Sequence, residues 1–429
     1  MRNSQARRTA LLIFTILAAA ALTFSPLSLR AEEEVATTTS SESKPVPSED
    51  LGTGSFSKFP FHVSFSLNGG YDDNVTTSNF QKQGSPFTNA NLGISYEFGS
   101  PRTKMSLGVG VGGTYYWDNI QSSGTNNYDI NTSLKFSLTH KASPRLTFST
   151  DDYITYQTEP DFAYAQGANY RSGNYFYTSD KGTVAYLWTP RFSTATSYTL
   201  GALHYDDYNL GFYQDRWNNT FGNEFRFLVQ PTTSLVAEYR FELVTYQYLN
   251  NRDSMSQFVL GGFDHIFNSR LSASFRGGVQ FVEYDNTGSV IGNSNQTSPY
   301  FESTVSYNVA KETAISWTTR YSIEQSDTLV NPSRETYRTG LTATHTITSR
   351  ITGTLGAYYE HDDYQSANVP GPFNTAFTQD SLDLALSLRY SITRHLGVQA
   401  GYNYTQVWAD QSFRDYSRNR YWGGLNFAF

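Results

Sequence analysis

Residues 104–118 read KMSLGVGVGGTYYWD, and apolar or aromatic side chains occupy every second position of this stretch. Residues 379–392, QDSLDLALSLRYSI, follow the same rule, with four leucines that alternate with polar or small residues. A period of two over more than ten residues predicts a β-strand with one apolar and one polar face. Such strands are about twice the usual length of five to six residues, which is typical of strands that cross an outer membrane.

The same alternation divides residues 61–429 into eighteen segments whose connections are alternately short and long. Short connections such as GSPRT (99–103), QPTTS (230–234) and TSR (348–350) recur about every forty residues, which indicates a hairpin repeat. We therefore predict an all-β fold: a transmembrane antiparallel up-and-down β-barrel of about 18 strands (16–18). Short periplasmic turns and longer extracellular loops would join the strands, and both chain ends would lie on the periplasmic side.

A soluble β-sandwich is the main alternative fold, because it also buries an apolar sheet face. The segment ends favour the membrane, since ring side chains with a polar group suit the lipid headgroup zone. Such residues are Tyr96, Tyr115, Trp117, Tyr239, Trp317, Tyr359, Tyr402 and Tyr421. Charged residues make up only 16% of the chain, against about 25% in an average soluble domain. The absence of cysteine excludes disulfides, thiolate metal sites and a cysteine nucleophile.

The N-terminus has the pattern of a secretory signal peptide. Three arginines within residues 2–8 precede the apolar run 9–24, and a small residue, Ala31, precedes three glutamates. A single membrane anchor is the alternative, but the apolar run is shorter than the roughly twenty residues that a helical span needs. We predict a signal peptide at 1–31, a flexible periplasmic leader at 32–58 and the outer-membrane barrel at 59–429.

Removal of the signal peptide takes away four arginines and no acidic residue, which changes the formal net charge from −7 to −11. A chain this acidic is a poor nucleic-acid binder. The leader is rich in proline, serine and threonine and has few apolar side chains, so it cannot bury enough surface to fold alone.

The last residues, YWGGLNFAF, place apolar side chains on one face of a final strand that ends in phenylalanine. An ordinary hydrophobic last strand would look similar. Together with the signal peptide, however, the pattern is typical of the C-terminal signal that the outer-membrane barrel assembly machinery reads. The predicted signal residues are Tyr421, Leu425, Phe427 and Phe429.

Several charged residues fall near mid-strand on the face that would line the lumen. The predicted pore-lining residues are Lys135, Glu224, Arg226, Glu238, Arg240, Arg276, Glu302, Arg320 and Arg389. A wet wall of mixed charge suits a water-filled pore, whereas the same charges could pair and close the lumen. Eighteen strands leave room for an aqueous channel. No loop is much above sixteen residues, so we expect any narrowing to come from wall side chains rather than from a long in-folded loop.

The strand pairing can be predicted from these charges. Across the turn at 230–234, we expect Arg226 opposite Glu238 and Glu224 opposite Arg240, because opposite charges favour that register. Across the turn at Lys311, Glu302 should face Arg320. Within 145–157 the neighbours Asp151 and Asp152 interrupt the alternation, so we expect a β-bulge there.

Aromatic–acidic clusters recur where upward strands end. Asp and Asn commonly cap backbone groups in turns, which is the simpler interpretation. Alternatively, the carboxylates form a ring at the outer mouth that attracts cations or holds divalent ions bridging lipopolysaccharide phosphates. No loop has a fixed metal-ligand spacing, so no metal site is predicted. The rim residues are Asp72, Asp73, Asp118, Asp206, Asp207, Asp285, Asp362 and Asp363.

The first barrel strand, from Leu67-Asn68-Gly69-Gly70 to Tyr71-Asp72-Asp73-Asn74, resembles the opening strand of the β-barrel porin family called type 2. Turns 100–102 (SPR), 143–145 (SPR) and 189–191 (TPR) are similar to hairpins of that family, and the resemblance covers residues 61–429. It implies an outer-membrane location in a Gram-negative bacterium, and some members lie beside exopolysaccharide genes. It carries no catalytic residues to this chain.

We expect a porin-like channel for passive diffusion of small hydrophilic solutes, with no cofactor. The alternative functions are a barrel associated with exopolysaccharide export and a closed structural scaffold. An outer-membrane hydrolase would need a nucleophile beside a base; only His361 next to Asp362 suggests such a pair, and we expect no enzyme. Expected partners are outer-membrane lipid and lipopolysaccharide, the assembly machinery and small solutes, and a homo-oligomer stays open.

Overall fold

The computed structural model describes residues 61–120, 127–162, 168–285, 295–310, 312–365 and 376–429. It contains eighteen strands in one antiparallel sheet. They are β1 (Phe61–Asp72), β2 (Ser85–Gly99), β3 (Thr103–Tyr116), β4 (Tyr128–Lys141), β5 (Leu146–Gln157), β6 (Tyr175–Thr189), β7 (Phe192–Tyr205), β8 (Arg216–Gln230), β9 (Thr233–Tyr246), β10 (Ser254–Asn268), β11 (Leu271–Tyr284), β12 (Gln296–Ala310), β13 (Thr313–Gln325), β14 (Ser333–Thr348), β15 (Ile351–Tyr364), β16 (Phe377–Ser391), β17 (Leu396–Ala409) and β18 (Tyr416–Ala428). A short helix, α1 (Tyr208–Gln214), follows β7. Within the described ranges, no helix is both long and apolar enough to span a membrane.

The sheet closes on itself, because β1 pairs with both β2 and β18. Tyr71 lies opposite Tyr421 and Phe65 opposite Phe427 in the closing ladder. The terminal Phe429 continues this ladder, since its backbone N–H donates to Val63 O at 2.8 Å and its carbonyl accepts from Val63 N at 2.9 Å. Closure removes both free sheet edges, and the predicted fold class is confirmed.

The two faces of the wall follow the predicted alternation. On β3 the odd-numbered side chains, such as Val111, face outward, and on β16 the outward Leu386 and Leu388 are exposed. The same parity turns polar side chains inward, where Asn68 and Asn89 meet across β1 and β2. The wall is therefore apolar outside and polar inside, as a barrel in lipid requires.

Several short turns are held by a side-chain oxygen of the last residue of the preceding strand. Thr189 Oγ1 accepts hydrogen bonds from Arg191 N and Phe192 N, and Thr348 Oγ1 does the same in the turn after β14. Asn268 Oδ1 has this role after β10. Such local bonds compete with the ladder and end a strand, which explains why Ser, Thr and Asn recur at these positions.

The predicted bulge at Asp151 and Asp152 is wrong. The ladders from β5 to β4 and to β6 run without a register shift through both residues. Register shifts instead lie next to the short turns, at Leu187/Thr189, Leu228/Gln230, Ile266/Asn268, Asn308/Ala310 and Thr346/Thr348. Without a bulge, Asp151 faces the lumen opposite Lys181, while Asp152 faces outward opposite Asp180.

Asp152 and Asp180 thus place two carboxylates side by side on the outer face of the wall. Each accepts a hydrogen bond from a neighbouring threonine hydroxyl: Thr150 Oγ1 donates to Asp152 at 2.7 Å and Thr178 Oγ1 to Asp180 at 2.8 Å. Like charges directly opposite each other destabilise a ladder, and an acidic group in the lipid band adds a desolvation cost.

Replacing Asp180 by leucine should therefore stabilise the barrel. We expect Asp180→Leu to raise the free energy of unfolding in lipid vesicles by about 1 kcal/mol, since an acidic side chain near the bilayer midplane costs somewhat less than a basic one. Asp151→Leu is the matched control and should lower it, because Asp151 faces inward opposite Lys181. Urea unfolding in vesicles measures both; equal effects of the two variants would contradict the assigned faces.

Candidate functional site: the lumen and its outer mouth

The lower lumen is a polar vestibule with a cavity volume of about 1460 Å³. It extends from His62 and Ser64, near the periplasmic rim, up to Glu159 and Arg338. A second, smaller cavity of about 200 Å³, here called the outer chamber, lies on the β6–β13 side of the upper lumen. Tyr177, Ser179 and Arg320 line both cavities, so the outer chamber adjoins the vestibule at these three residues.

In the connection between β5 and β6, the described residues 158–162 and 168–174 fold into the barrel. Arg171 forms an ion pair with Asp129 of β4, and its backbone N–H donates to Thr77 Oγ1 at 2.8 Å. Asn169 reaches the opposite wall, where its amide donates to Glu360 of β15 at 3.0 Å. The expectation that no long loop constricts the lumen is therefore wrong. Loop length alone does not indicate whether a loop lies inside or outside the barrel.

The hairpin tip between β13 and β14 also bends inward. The β12–β13 ladder starts only at Phe301 and Tyr321, so the residues beyond Tyr321 pair with β14 alone. The side chain of Gln280 in β11 bonds the backbone of Ile323 in both directions, at 2.8 and 3.0 Å. Ile323 consequently packs against Val282 inside the barrel, although strict alternation from Trp317 would turn it outward.

One arginine holds this tip against α1. Arg252, between β9 and β10, is 3% exposed and donates to four backbone carbonyls. Three of these carbonyls belong to the tip, at Ser326 (2.9 Å), Thr328 (3.0 Å) and Pro332 (3.4 Å), and the fourth is Tyr213 in α1 (2.9 Å). A planar guanidinium with several donors suits such a cluster of carbonyls. We call Arg252 and these four carbonyls the mouth clamp.

A buried ion pair secures the tip from the other side. Arg414, in the connection between β17 and β18, lies 2.7 Å from Asp327 in the tip. Burial alone would raise the pKa of Asp327, but Arg414 and Arg334 outweigh it and hold that pKa below its ordinary value. Asp327 therefore stays ionised at neutral pH, and the pair stays charged.

The β5–β6 connection has a comparable anchor. Glu159 accepts a hydrogen bond from Arg418 of β18 at 3.0 Å. Burial favours the neutral acid, but Arg418 and Arg420 lower the pKa of Glu159 far below its usual range. The anchors at Glu159 and Asp327 are both acid–arginine pairs, so the outer half of the lumen is fastened by charge as well as by packing.

A belt of alternating charges crosses the lower wall from β8 to β12. The first two predicted ladders in it are wrong by two residues, because Glu224 lies opposite Glu238 and Gly222 opposite Arg240. The turn is tighter than expected, since Gln230 already pairs with Thr233. Each glutamate pairs instead with the arginine two residues along its own strand, Arg226 and Arg240 respectively.

Arg276 of β11 offsets the repulsion between the two facing glutamates in this register. Its guanidinium contacts Asp264 at 2.8 Å and lies 3.9 Å from Glu224 and 3.7 Å from Glu238. One buried cation thus balances the two glutamates that face each other. The third predicted ladder is confirmed, because Glu302 lies opposite Arg320. Glu302 forms an ion pair with Arg240, however, and Arg320 forms one with Glu324.

The nine predicted pore-lining side chains belong to the inward-facing set of their strands. Lys135 lies over the ring of Tyr153 and lines the vestibule. Arg276, Glu302 and Arg320 line it as well, while Arg240 borders the outer chamber. These side chains face the lumen, but most of their charges are already paired with one another.

The predicted acidic rim does not form one exposed ring. Asp72 and Asp362 are fully buried and pair with Arg418 and Arg334. Asp207 caps α1 through the N–H groups of residues 209 and 210. Asp73 accepts from Asn419, and Asp206 accepts from the Tyr156 hydroxyl. The remaining Asp118, Asp285 and Asp363 are exposed, so the turn-capping interpretation accounts for part of the set.

The suggested His361–Asp362 pair does not exist, because the two side chains leave opposite faces of β15. His361 instead lies 2.9 Å from Asp380, which also accepts a hydrogen bond from the Tyr359 hydroxyl at 2.6 Å. Among the described residues, no group of three His, Asp or Glu side chains could hold a metal ion.

Large aromatic rings from many strands turn inward in the upper lumen. They include Tyr116, Tyr175, Tyr205, Phe258, Tyr300, Tyr364 and Tyr416, all less than 10% exposed. Three of their hydroxyls bond the in-folded connections: Tyr205 accepts from Ala168 N, and Tyr364 and Tyr416 donate to Asp327 and Asn169 O. These rings therefore help to fill the outer half of the lumen.

Sequence reasoning missed the residues that fasten the mouth, above all Arg171, Arg252, Arg414 and Arg418. The one available signal is an arginine inside or beside a long connection. An exposed loop has no need of such a residue, whereas a loop inside a barrel must find partners for its buried polar groups.

These features define an outer-membrane barrel with a polar lumen and an outer half narrowed by its own connections. The family model described as Putative beta-barrel porin 2 matches residues 51–429. The chain belongs to this family, and it is an outer-membrane channel for small solutes.

Solved barrels of similar architecture include OccAB4 of Acinetobacter baumannii (8% identity, TM-score 0.43, 86% of this chain and 99% of that chain). Others are opdK of Pseudomonas aeruginosa (11%, 0.41, 86% and 99%) and a BenF-like porin of Pseudomonas fluorescens Pf-5 (10%, 0.45, 86% and 98%). None of the curated proteins compared with the chain matches it.

Proposed function

We propose that small hydrophilic solutes cross the barrel by passive diffusion through the vestibule and the outer chamber. The observation that carries this proposal is the polar vestibule of about 1460 Å³ inside a closed eighteen-stranded wall. An eighteen-stranded barrel encloses more space than its wall side chains can fill. The in-folded connections then set the size limit, because they occupy the outer half of the lumen.

The same connections argue against an export path for long polysaccharide chains. Such a path needs aromatic platforms that a passing sugar can reach. Here the inward rings near the mouth, such as Tyr175 and Tyr205, are buried against the filled outer half. Among the described residues, we assign no nucleophile–base pair to catalysis. We therefore propose no enzymatic role.

Liposome swelling tests the proposed diffusion path. Proteoliposomes in uncharged solutes of increasing size should swell quickly with glycerol and progressively more slowly with larger polyols and sugars. Vesicles without protein are the control. Swelling no faster than in these empty vesicles, for every solute, would show a sealed scaffold instead.

We infer export by the signal peptide at 1–31, a leader at 32–58 and residence in the outer membrane of a Gram-negative bacterium. We infer that the assembly machinery recognises the outward side chains of β18, which are Tyr421, Leu425 and Phe427, together with the terminal Phe429. The exposed rim acids would contact lipopolysaccharide through divalent cations that bridge to its phosphates, and a homo-oligomer is an open alternative.

A further inference from the structure

Most charged side chains around the outer chamber already have an ion-pair partner. The pairs are Arg240–Glu302, Arg320–Glu324, Arg334–Asp362 and Arg414–Asp327. Paired charges attract a passing solute weakly, because each group's field is offset by its neighbour. The groups that can recognise a solute are therefore those left without such a partner.

Arg216 of β8 and Glu242 of β9 are two such groups, and both line the chamber. Arg216 is 8% exposed and donates to the backbone carbonyl of Gln214 at 3.2 Å. Glu242 accepts one long hydrogen bond, from Asn218 at 3.4 Å. Within the described part of the chain, neither side chain forms an ion pair. One cation and one anion thus face the same small polar space.

The two groups are separated along the wall. Glu242 lies opposite Thr220, four residues from Arg216, which corresponds to about 13 Å along the strand. Both side chains nevertheless line the same chamber. Asn218 and Thr220 supply further polar groups between them.

We propose that the outer chamber is a binding site for a small zwitterion of the amino-acid type, with Arg216 holding the carboxylate and Glu242 the ammonium group. This inference deepens the proposed channel function and rests on it. A guanidinium binds a carboxylate through two charge-assisted hydrogen bonds, and a carboxylate accepts from an ammonium group. A zwitterion satisfies both residues at once, whereas a simple anion or cation leaves one of them without a partner.

The size of the chamber limits the ligand to a small one. Its volume of about 200 Å³ lies below the range of about 300–1,000 Å³ that is common for pockets of drug-sized ligands. Gln214 and Asp327, from α1 and the tip, border the same space. An amino acid with a short side chain fits this description, and an oligosaccharide does not.

Liposome swelling with two solutes of nearly equal size tests the site. L-alanine is the zwitterion, and lactamide is its uncharged counterpart, with a hydroxyl and an amide in place of the charged groups. The wild type should admit alanine several times faster than lactamide. Glu242→Gln and Arg216→Met should each reduce this ratio to about that of free diffusion, while Arg394→Met, in an exposed periplasmic turn, should keep it.

Ion selectivity in planar bilayers provides a second readout for the same variants. Removal of the negative charge in Glu242→Gln should shift the reversal potential toward anion selectivity, and Arg216→Met should shift it toward cation selectivity. Opposite shifts support the site. Equal alanine and lactamide rates in the wild type would overturn the zwitterion site while leaving the channel intact, whereas no entry of either solute would overturn the channel itself. Lack of any selectivity shift in folded variants would place both residues off the path and so also contradict the site.

Discussion

Arg252→Ala should increase single-channel conductance several-fold. The substitution removes all four hydrogen bonds of the mouth clamp, which are the bonds that tie the tip carbonyls and Tyr213 together. Hydrogen bonds from a charged donor contribute about 1.5–3 kcal/mol each, so the tip loses a large part of its anchoring and keeps the Gln280 bonds and the Arg414–Asp327 pair. We expect the loosened tip to swing out of the lumen and the solute path to widen.

Arg270→Ala is the matched control for this prediction. Arg270 also donates to a backbone carbonyl, that of Val309 at 3.0 Å, but at the periplasmic end of the barrel. The single-channel conductance of Arg270→Ala should stay close to the wild-type value. A heat-dependent change of migration in gel electrophoresis shows whether each variant is folded. An unchanged conductance of folded Arg252→Ala would mean that the tip does not limit the solute path.

Arg276→Met should cost the barrel about 3–5 kcal/mol of unfolding free energy, the range for removing one partner of a buried charge cluster. The variant keeps side-chain volume but leaves Asp264 without its closest cation and Glu224 opposite Glu238 without the balancing charge. Urea unfolding in lipid vesicles, followed by tryptophan fluorescence, measures the loss.

Arg394→Met serves as the control for this second prediction, because Arg394 is exposed in a turn and its loss should change the free energy by less than about 0.5 kcal/mol. A small effect of Arg276→Met would mean that the two facing glutamates need no central cation. The belt would then be a solvated wall rather than a fixed network.

The alternation of side chains was sufficient to predict the strands and their faces, because each side of the wall meets a different solvent. The eighteen segments predicted from this pattern agree in number with the eighteen strands of the sheet. The register between β8 and β9 was not predictable from facing charges. Side chains such as Arg226 and Arg240 bond along their own strand, and Arg276 reaches in from beyond the neighbouring strand.

The filled outer half was the largest feature that the sequence did not predict. Alternation describes a strand but not a bend, so nothing local marks Ile323 as the point where the tip turns inward. The contacts that fasten the connections, such as Asn169 with Glu360 and Arg418 with Glu159, join residues far apart in the chain. Such partners become neighbours only once the barrel has closed, and a single sequence does not reveal them.

Single-channel recording in planar bilayers tests the central claim, a closed barrel with a wet lumen narrowed by its own connections. The wild type should insert with small, discrete current steps, and Arg252→Ala should give larger steps of the same kind. A folded wild type and a folded Arg252→Ala that both pass no steady current would contradict the claim.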